Sequence, residues 1–313
     1  MPSWNDLLAE IATKTTDADV SAWLIGKTTD ALQAISQRRK GQNVLFYATA
    51  FLQKPHIPQQ FLQLTHEEIN GFMSCIYGMD CSKGLTLVLH TPGGVTNAAE
   101  SVVAYLWSKF ADIEVVIPTY AMSAGTMIAL SANRLVMGRQ SQLGPIDPQM
   151  PLGNNYVSAR AVVDQFSRAK KDIIDNRDTA HLWAPILQSL GPSVLQEAQN
   201  ALDYGERMVA RWLRQRMLAG EKFAATRAKK AAHYFNDASR HKSHGRRIDR
   251  DEARTQRIRI EDLEADQKLQ EAVLTAYHLM TISFEKSPAA KILFSNHGRL
   301  WVKNYGAVAQ PQP

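Results

Sequence analysis

Only two cysteines occur in 313 residues, and what is scarce in the chain narrows its class before any motif is read. Cys75 and Cys81 form neither a CxxC pair nor a metal-ligand spacing. That excludes a disulfide scaffold and fits two packing thiols in a reducing compartment. No apolar run approaches the roughly 18 residues of a membrane-spanning helix, and Ala124 to Leu130 is far too short. The N-terminus, "MPSWNDLLAEIATK", carries acidic residues early and lacks an apolar signal-peptide core. A cytoplasmic protein without a membrane span is the expectation. A nucleotide loop is disfavoured too, because neither GxGxxG nor a GK[ST] ending is present.

What is present suits a globular core, with an apolar fraction of 45%. "NVLFYATAF", "GLTLVLH", "IEVVIP" and "NRLVMG" read as strands, and "VTNAAESVVAYLWSKF" and "TMIALSA" as helices between them. Strands that are apolar throughout and alternate with helices predict an α/β fold with a largely parallel, helix-covered sheet. Trp4 to Ile35 read as short amphipathic helices broken at "TTDAD" and "GKTTD". Beyond "SQLGPIDPQM" the strand signals fade. Helices are expected to about Arg240, then a capped helix and strand in "SHGRRIDRDEARTQRIRIEDL", then a last helix from Ala265 to Met280 and a loose "AVAQPQP" tail. The expected divisions are an N-terminal helical segment (1–40), a core (41–205) and a basic helical region with a closing helix–strand unit (206–313).

The net charge of +6 is concentrated between Arg207 and Arg259. Such a run fits an anionic partner or a solvated helix surface. Interleaved acids, and the lack of a zinc-finger or RNA-recognition signature, favour the surface, so a nucleic-acid partner is not expected.

Ligands gather at the carboxyl ends of strands in parallel α/β sheets, and two glycine-bearing turns lie at consecutive strand ends here. In His90-Thr-Pro-Gly-Gly94, adjacent glycines let backbone N–H groups face a ligand. In "TYAMSAGTMIAL", Ser123 stands at a strand-to-helix turn, either as a plain N-cap or as a nucleophile beside N–H donors. It is not a GxSxG elbow, which disfavours an α/β-hydrolase. His90 reads as a strand-end core residue or as site-lining, together with Gly93. His241 and His244 stand three apart without a carboxylate or cysteine signature, so no metal site is expected there. His181 has no motif context.

Taken in order, "LVLHTPGG", "YAMSAGTMIAL", "ANRLVMG" and "SQLGPIDPQ" resemble the serine dehydrogenase proteinase family. That family belongs to the Clp-protease/crotonase fold, alongside signal peptide peptidase A. The resemblance implies a superhelix of ββα units with added N- and C-terminal helices, a homo-oligomer, and a peptide or protein substrate, with an adaptor among conceivable partners and no cofactor. By position it assigns Ser123 as nucleophile and the N–H groups of Gly94 and Ala124 as the oxyanion hole. The histidine of the Clp protease has no counterpart in "SQLGPIDPQ", where Ile146 or Asp147 stands. The lysine of the membrane-protease relatives falls near Arg160 or Ala161, and an arginine stays protonated. Lys170 and Lys171 are the chemically suitable candidates for the base, with surface lysines in "SRAKKD" as the competing reading. Asp147 is expected to hold the "GPIDPQ" turn, the alternative being to orient a base. The leading function is a serine peptidase. Its rivals are an oligomeric scaffold binding a partner or nucleic acid, which the missing base favours, and a crotonase-like acyl-CoA enzyme, which needs no serine in "AMSAGT".

Overall fold

The computed structural model describes residues 4–153, 155–191 and 193–306, and the "AVAQPQP" segment lies outside the described residues. In chain order the helices are α1 (Trp4–Ala12), α2 (Asp17–Arg38), α3 (Glu68–Ile76), α4 (Thr96–Lys109), α5 (Ala124–Leu130) and α6 (Ala159–Asp175). They continue as α7 (Ala180–Leu190), α8 (Val194–Gln215), α9 (Ala224–Asn236), α10 (Ala238–His241), α11 (Arg250–Thr255) and α12 (Gln267–Lys286). The strands are β1 (Asn43–Thr49), β2 (Leu85–His90), β3 (Ile113–Ile117), β4 (Tyr120–Ala121), β5 (Arg134–Met137) and β6 (Gln142–Leu143). After them come β7 (Gln149–Leu152), β8 (Asn155–Ser158), β9 (Ile260–Asp262), β10 (Ala289–Ser295) and β11 (Leu300–Asn304).

Seven strands share one sheet in the order β11-β10-β1-β2-β3-β5-β9. The run from β1 to β9 is parallel, and β10 and β11 add an antiparallel margin. The fold is α/β, as expected. Every residue of β1, β2, β3 and β10 is buried, because helices cover both faces and leave no solvent side to demand alternation. Leu45 and Tyr47 face a core built with Phe72 of α3, Val102 of α4, Met127 of α5 and Trp212 of α8. Their neighbours Val44, Phe46 and Ala48 point to the opposite core, against Leu32 of α2 and Val273 and Leu279 of α12. A smaller cluster of Ala159, Val162, Ala198 and Leu202 seats α6 on α8.

Three differences from the sequence reading have physical causes. The "GKTTD" stretch does not break α2, because Thr28, Ala31, Leu32 and Ile35 bury one continuous face and carry the helix through. The closing helix α12 runs on to Lys286. The sheet also takes two further strands from 289–304, including β10 against β1, where the fully buried Lys291 interrupts the apolar pattern that would have announced a strand. Part of the basic run is paired with acids. Arg211 meets Glu100 at 3.1 Å, Arg227 and Arg259 meet Glu221 at 2.8 and 2.9 Å, and Arg250 meets Asp262 at 3.2 Å.

Leu32 is fully buried whereas Ile25, on the same helix, is 42% exposed. Leu32→Ala should therefore lower the free energy of unfolding by about 2–5 kcal/mol. Ile25→Ala should change it by less than about 1 kcal/mol, as urea unfolding of the two variants will show.

Candidate active site

After β3 the chain cannot continue its ladder normally, because Pro118 offers no N–H. It makes the two-residue strand β4 beside β6 and turns sharply at Ser123 into α5. Ser123 has φ 50° and ψ −117°, a backbone conformation that costs an L-residue about 1–3 kcal/mol and needs surroundings that impose it. Those surroundings are present. Thr91 N donates to Tyr120 O at 3.0 Å, Met122 N to Thr91 O at 3.0 Å, and Met127 N to Ser123 O at 3.0 Å. A Cβ on Gly125 would stand 2.5 Å from Thr91 Cγ2, so glycine is required there. The Ser123 turn is thus a strained strand-to-helix elbow without the GxSxG signature, with Ala121 in place of the first glycine.

The "TPGG" turn lies directly against this elbow. A Cβ on Gly93 would stand 2.7 Å from Ser123 Cβ and 2.9 Å from Ala124 N. Gly94 (φ +151°) forms a parallel bridge with Leu64. Leu64 N donates to Gly93 O at 2.7 Å, and Val95 N donates to Leu64 O at 2.9 Å. A parallel bridge of this kind uses the groups that flank Gly94, so its own N–H is directed to the other side.

The segment after β6 brings a further pair to this end of the sheet. Gly144 N donates to Thr126 Oγ1 at 2.9 Å, and a Cβ on Gly144 would touch Met122 Cε at 2.5 Å. Ile146 N donates to Phe235 O at 2.8 Å. Next comes Asp147, 2% exposed. Its Oδ2 accepts from Gln149 Nε2 at 2.7 Å, and its Oδ1 accepts from His244 Nδ1 at 2.8 Å. Among the described residues nothing engages His244 Nε2. The loop that carries this histidine is held on both sides. Ile248 and Leu143 exchange backbone bonds of 2.9 Å. Arg246 bonds His241 Nδ1 at 3.0 Å and Glu252 at 2.6 Å, and Tyr234 also donates to Glu252.

Asp147 thus bonds Gln149 within its own turn and His244 from a distant loop. No local spacing in the sequence marks His244 with Asp147, because the two lie 97 residues apart. Lys170 and Lys171 are exposed on α6. Arg160 is half-buried at the start of the same helix, where its backbone N–H donates to Ser158 Oγ. His90 does not line the site. Its side chain points to the face opposite α5, against Phe51 and Tyr277 with ring centroids 5.0 Å away, and its Nδ1 lies 2.9 Å from Thr119 Oγ1. Among the described residues no three His, Cys, Asp or Glu side chains converge to hold a metal ion, and no helix is long and apolar enough to cross a membrane.

The ClpP-like SDH-type serine proteinase model matches residues 22–186, just over half of the chain. The protein belongs to this family. The match includes Ser123 and Asp147 and ends before His244. Two uncharacterised proteins of Methanocaldococcus jannaschii are similar to it. One is 38% identical over 137 residues, 44% of each chain; the other is 34% identical over 91 residues, 29% of this chain and 30% of the relative. The chain thus spans less than half the length of the curated relatives it matches. A solved structure of the 1510-N membrane-bound stomatin-specific protease, in a serine-to-alanine mutant form, is similar over 63% of this chain and 74% of that one. Its identity is 15% and its TM-score 0.37.

Burial drives the His90 pKa from 6.5 down to about 3. Between these values the unfolded chain binds a proton here that the folded chain does not. Stability from this group is whole above pH 6.5 and falls towards pH 3, with a slope of up to about 1.4 kcal/mol per pH unit. His90→Asn should flatten that part of the profile in urea unfolding titrations. An unaltered slope would contradict this assignment.

Proposed function

We propose that the protein is a serine peptidase in which Ser123 is the nucleophile, His244 the general base and Asp147 the group that orients it. The observation that carries this reading is the buried Asp147 carboxylate 2.8 Å from His244 Nδ1, on a segment bonded to the helix that follows Ser123. With its proton on Nδ1 the neutral ring has a lone pair on Nε2, the atom that must accept the serine proton. Ser123 Oγ attacks the peptide carbonyl carbon and its proton passes to Nε2. The resulting oxyanion is held by the N–H groups of Gly94 and Ala124. Collapse of the tetrahedral adduct breaks the C–N bond, and the imidazolium returns its proton to the leaving amine. Water then attacks the acyl-enzyme by the same route and frees Ser123. The Asp147 carboxylate offsets the positive charge that develops on the ring. The strained turn at Ser123 and the contact of Gly93 with it support the reading, since both hold the hydroxyl beside the donor N–H groups before substrate arrives. The exposed Lys170 and Lys171 take no part in it.

A fluorophosphonate probe should label the wild-type protein and leave Ser123→Ala unlabelled. His244→Ala should slow labelling by about 10⁴-fold, and Asp147→Asn by about 10²–10⁴-fold. Lys170→Ala and Lys171→Ala should label at the wild-type rate. Full labelling of His244→Ala together with loss in either lysine variant would return the base to α6.

A further inference from the structure

Behind the "TPGG" turn lies a buried ionic cluster that the proposed chemistry does not use directly. Lys291 of β10 is 0% exposed and Glu68 of α3 is 1% exposed, and Lys291 Nζ donates to Glu68 Oε1 at 2.6 Å. The hydroxyl of Tyr47 on β1, also 0% exposed, donates to the same oxygen at 3.0 Å. The other carboxylate oxygen, Glu68 Oε2, accepts from the Thr65 backbone N–H and from Thr65 Oγ1, both at 2.8 Å. Thr65 follows Leu64, whose N–H and carbonyl hold Gly93 and Val95 on either side of Gly94. An unbroken set of contacts therefore runs from two neighbouring strands through one carboxylate to the glycine turn against Ser123.

A buried ion pair is a poor device for stability, because desolvating both charges offsets most of their attraction, and well-packed apolar residues commonly serve as well. It is a good device for position, since each bond to Glu68 has a direction as well as a strength. The Leu64–Gly94 contact leaves little tolerance. A Cβ on Gly94 would meet Leu64 N at 2.5 Å and collide with its carbonyl oxygen, so any shift of Leu64 moves Gly94 with it.

We propose that Glu68, held by Lys291 and Tyr47, is the positioning residue of the oxyanion hole, fixing the Gly94 N–H through Thr65 and Leu64. This rests on the peptidase reading of Ser123. Displacing one oxyanion donor weakens transition-state stabilisation and leaves ground-state binding of the peptide almost untouched, so the effect falls on kcat and not on KM.

The variants are Thr65→Val, which loses the hydroxyl bond, Thr65→Ser, which keeps it, and Glu68→Gln/Lys291→Met, which removes both charges together. Each is assayed with a fluorogenic peptide and with the fluorophosphonate probe, and its melting temperature is recorded. Thr65→Val should lower kcat by about 3–10-fold, and the double variant by about 10–100-fold, with KM within about twofold in both. Thr65→Ser should return kcat to near the wild-type value. Because Thr65 is only partly buried, the Val and Ser pair decides the question even if the double variant does not fold. Wild-type kcat in a folded Thr65→Val, or equal losses in Val and Ser, would overturn the positioning role while probe labelling of Ser123 in the wild type keeps the peptidase reading intact. A wild type that the probe does not label at Ser123 would overturn both.

Discussion

A Cβ at residue 93 would stand 2.7 Å from the Ser123 side chain, and the carboxyl edge of the sheet is arranged around that closeness. Two backbones can approach this far only where one lacks a side chain. The approach sets the strained serine against the glycine turn and requires support from behind on both sides. Thr91 braces the elbow from just after β2, and Leu64 braces the turn from the segment before α3. The core beneath is apolar and closely packed, so a displacement at either brace has nowhere to be absorbed.

The polar groups at this end divide by depth. His90 lies on the far face, kept neutral by burial among aromatic rings. Asp147 is almost as deeply buried but has both oxygens engaged, which offsets the cost of taking a carboxylate out of water. His244 retains partial exposure, its side chain 30% accessible, so that one nitrogen is anchored and the other is open. Depth and partners, and not residue type alone, separate a packing histidine from the one assigned above as proton acceptor.

Much of the parallel core was legible because its strands are short apolar runs and its turns are marked by glycine, and the Ser123 turn was legible because small residues cluster where the chain changes direction. Two parts were not. The strand Ala289–Ser295 holds a lysine in its middle, and the distant Glu68 and Glu67 make that burial tolerable; no local pattern reports such partners. The Asp147–His244 pair is hidden for the same reason, since it closes a span of 97 residues. In both cases the signal lies in a charge whose complement is supplied by tertiary structure. Lys170 and Lys171 show the converse: a residue of suitable chemistry near a motif, which the helix leaves in solvent.

The Leu143–Ile248 bridge has a consequence for how the protein is made. Residues through Asp147 can leave the ribosome, and Ser123 with them, while the segment that carries His244 is still unsynthesised. On the assignment proposed above, the nascent chain carries its nucleophile without a proton acceptor until the later third has docked. On that assignment translation order acts as a safety catch, because a half-made copy would hold the serine without the imidazole that is to activate it.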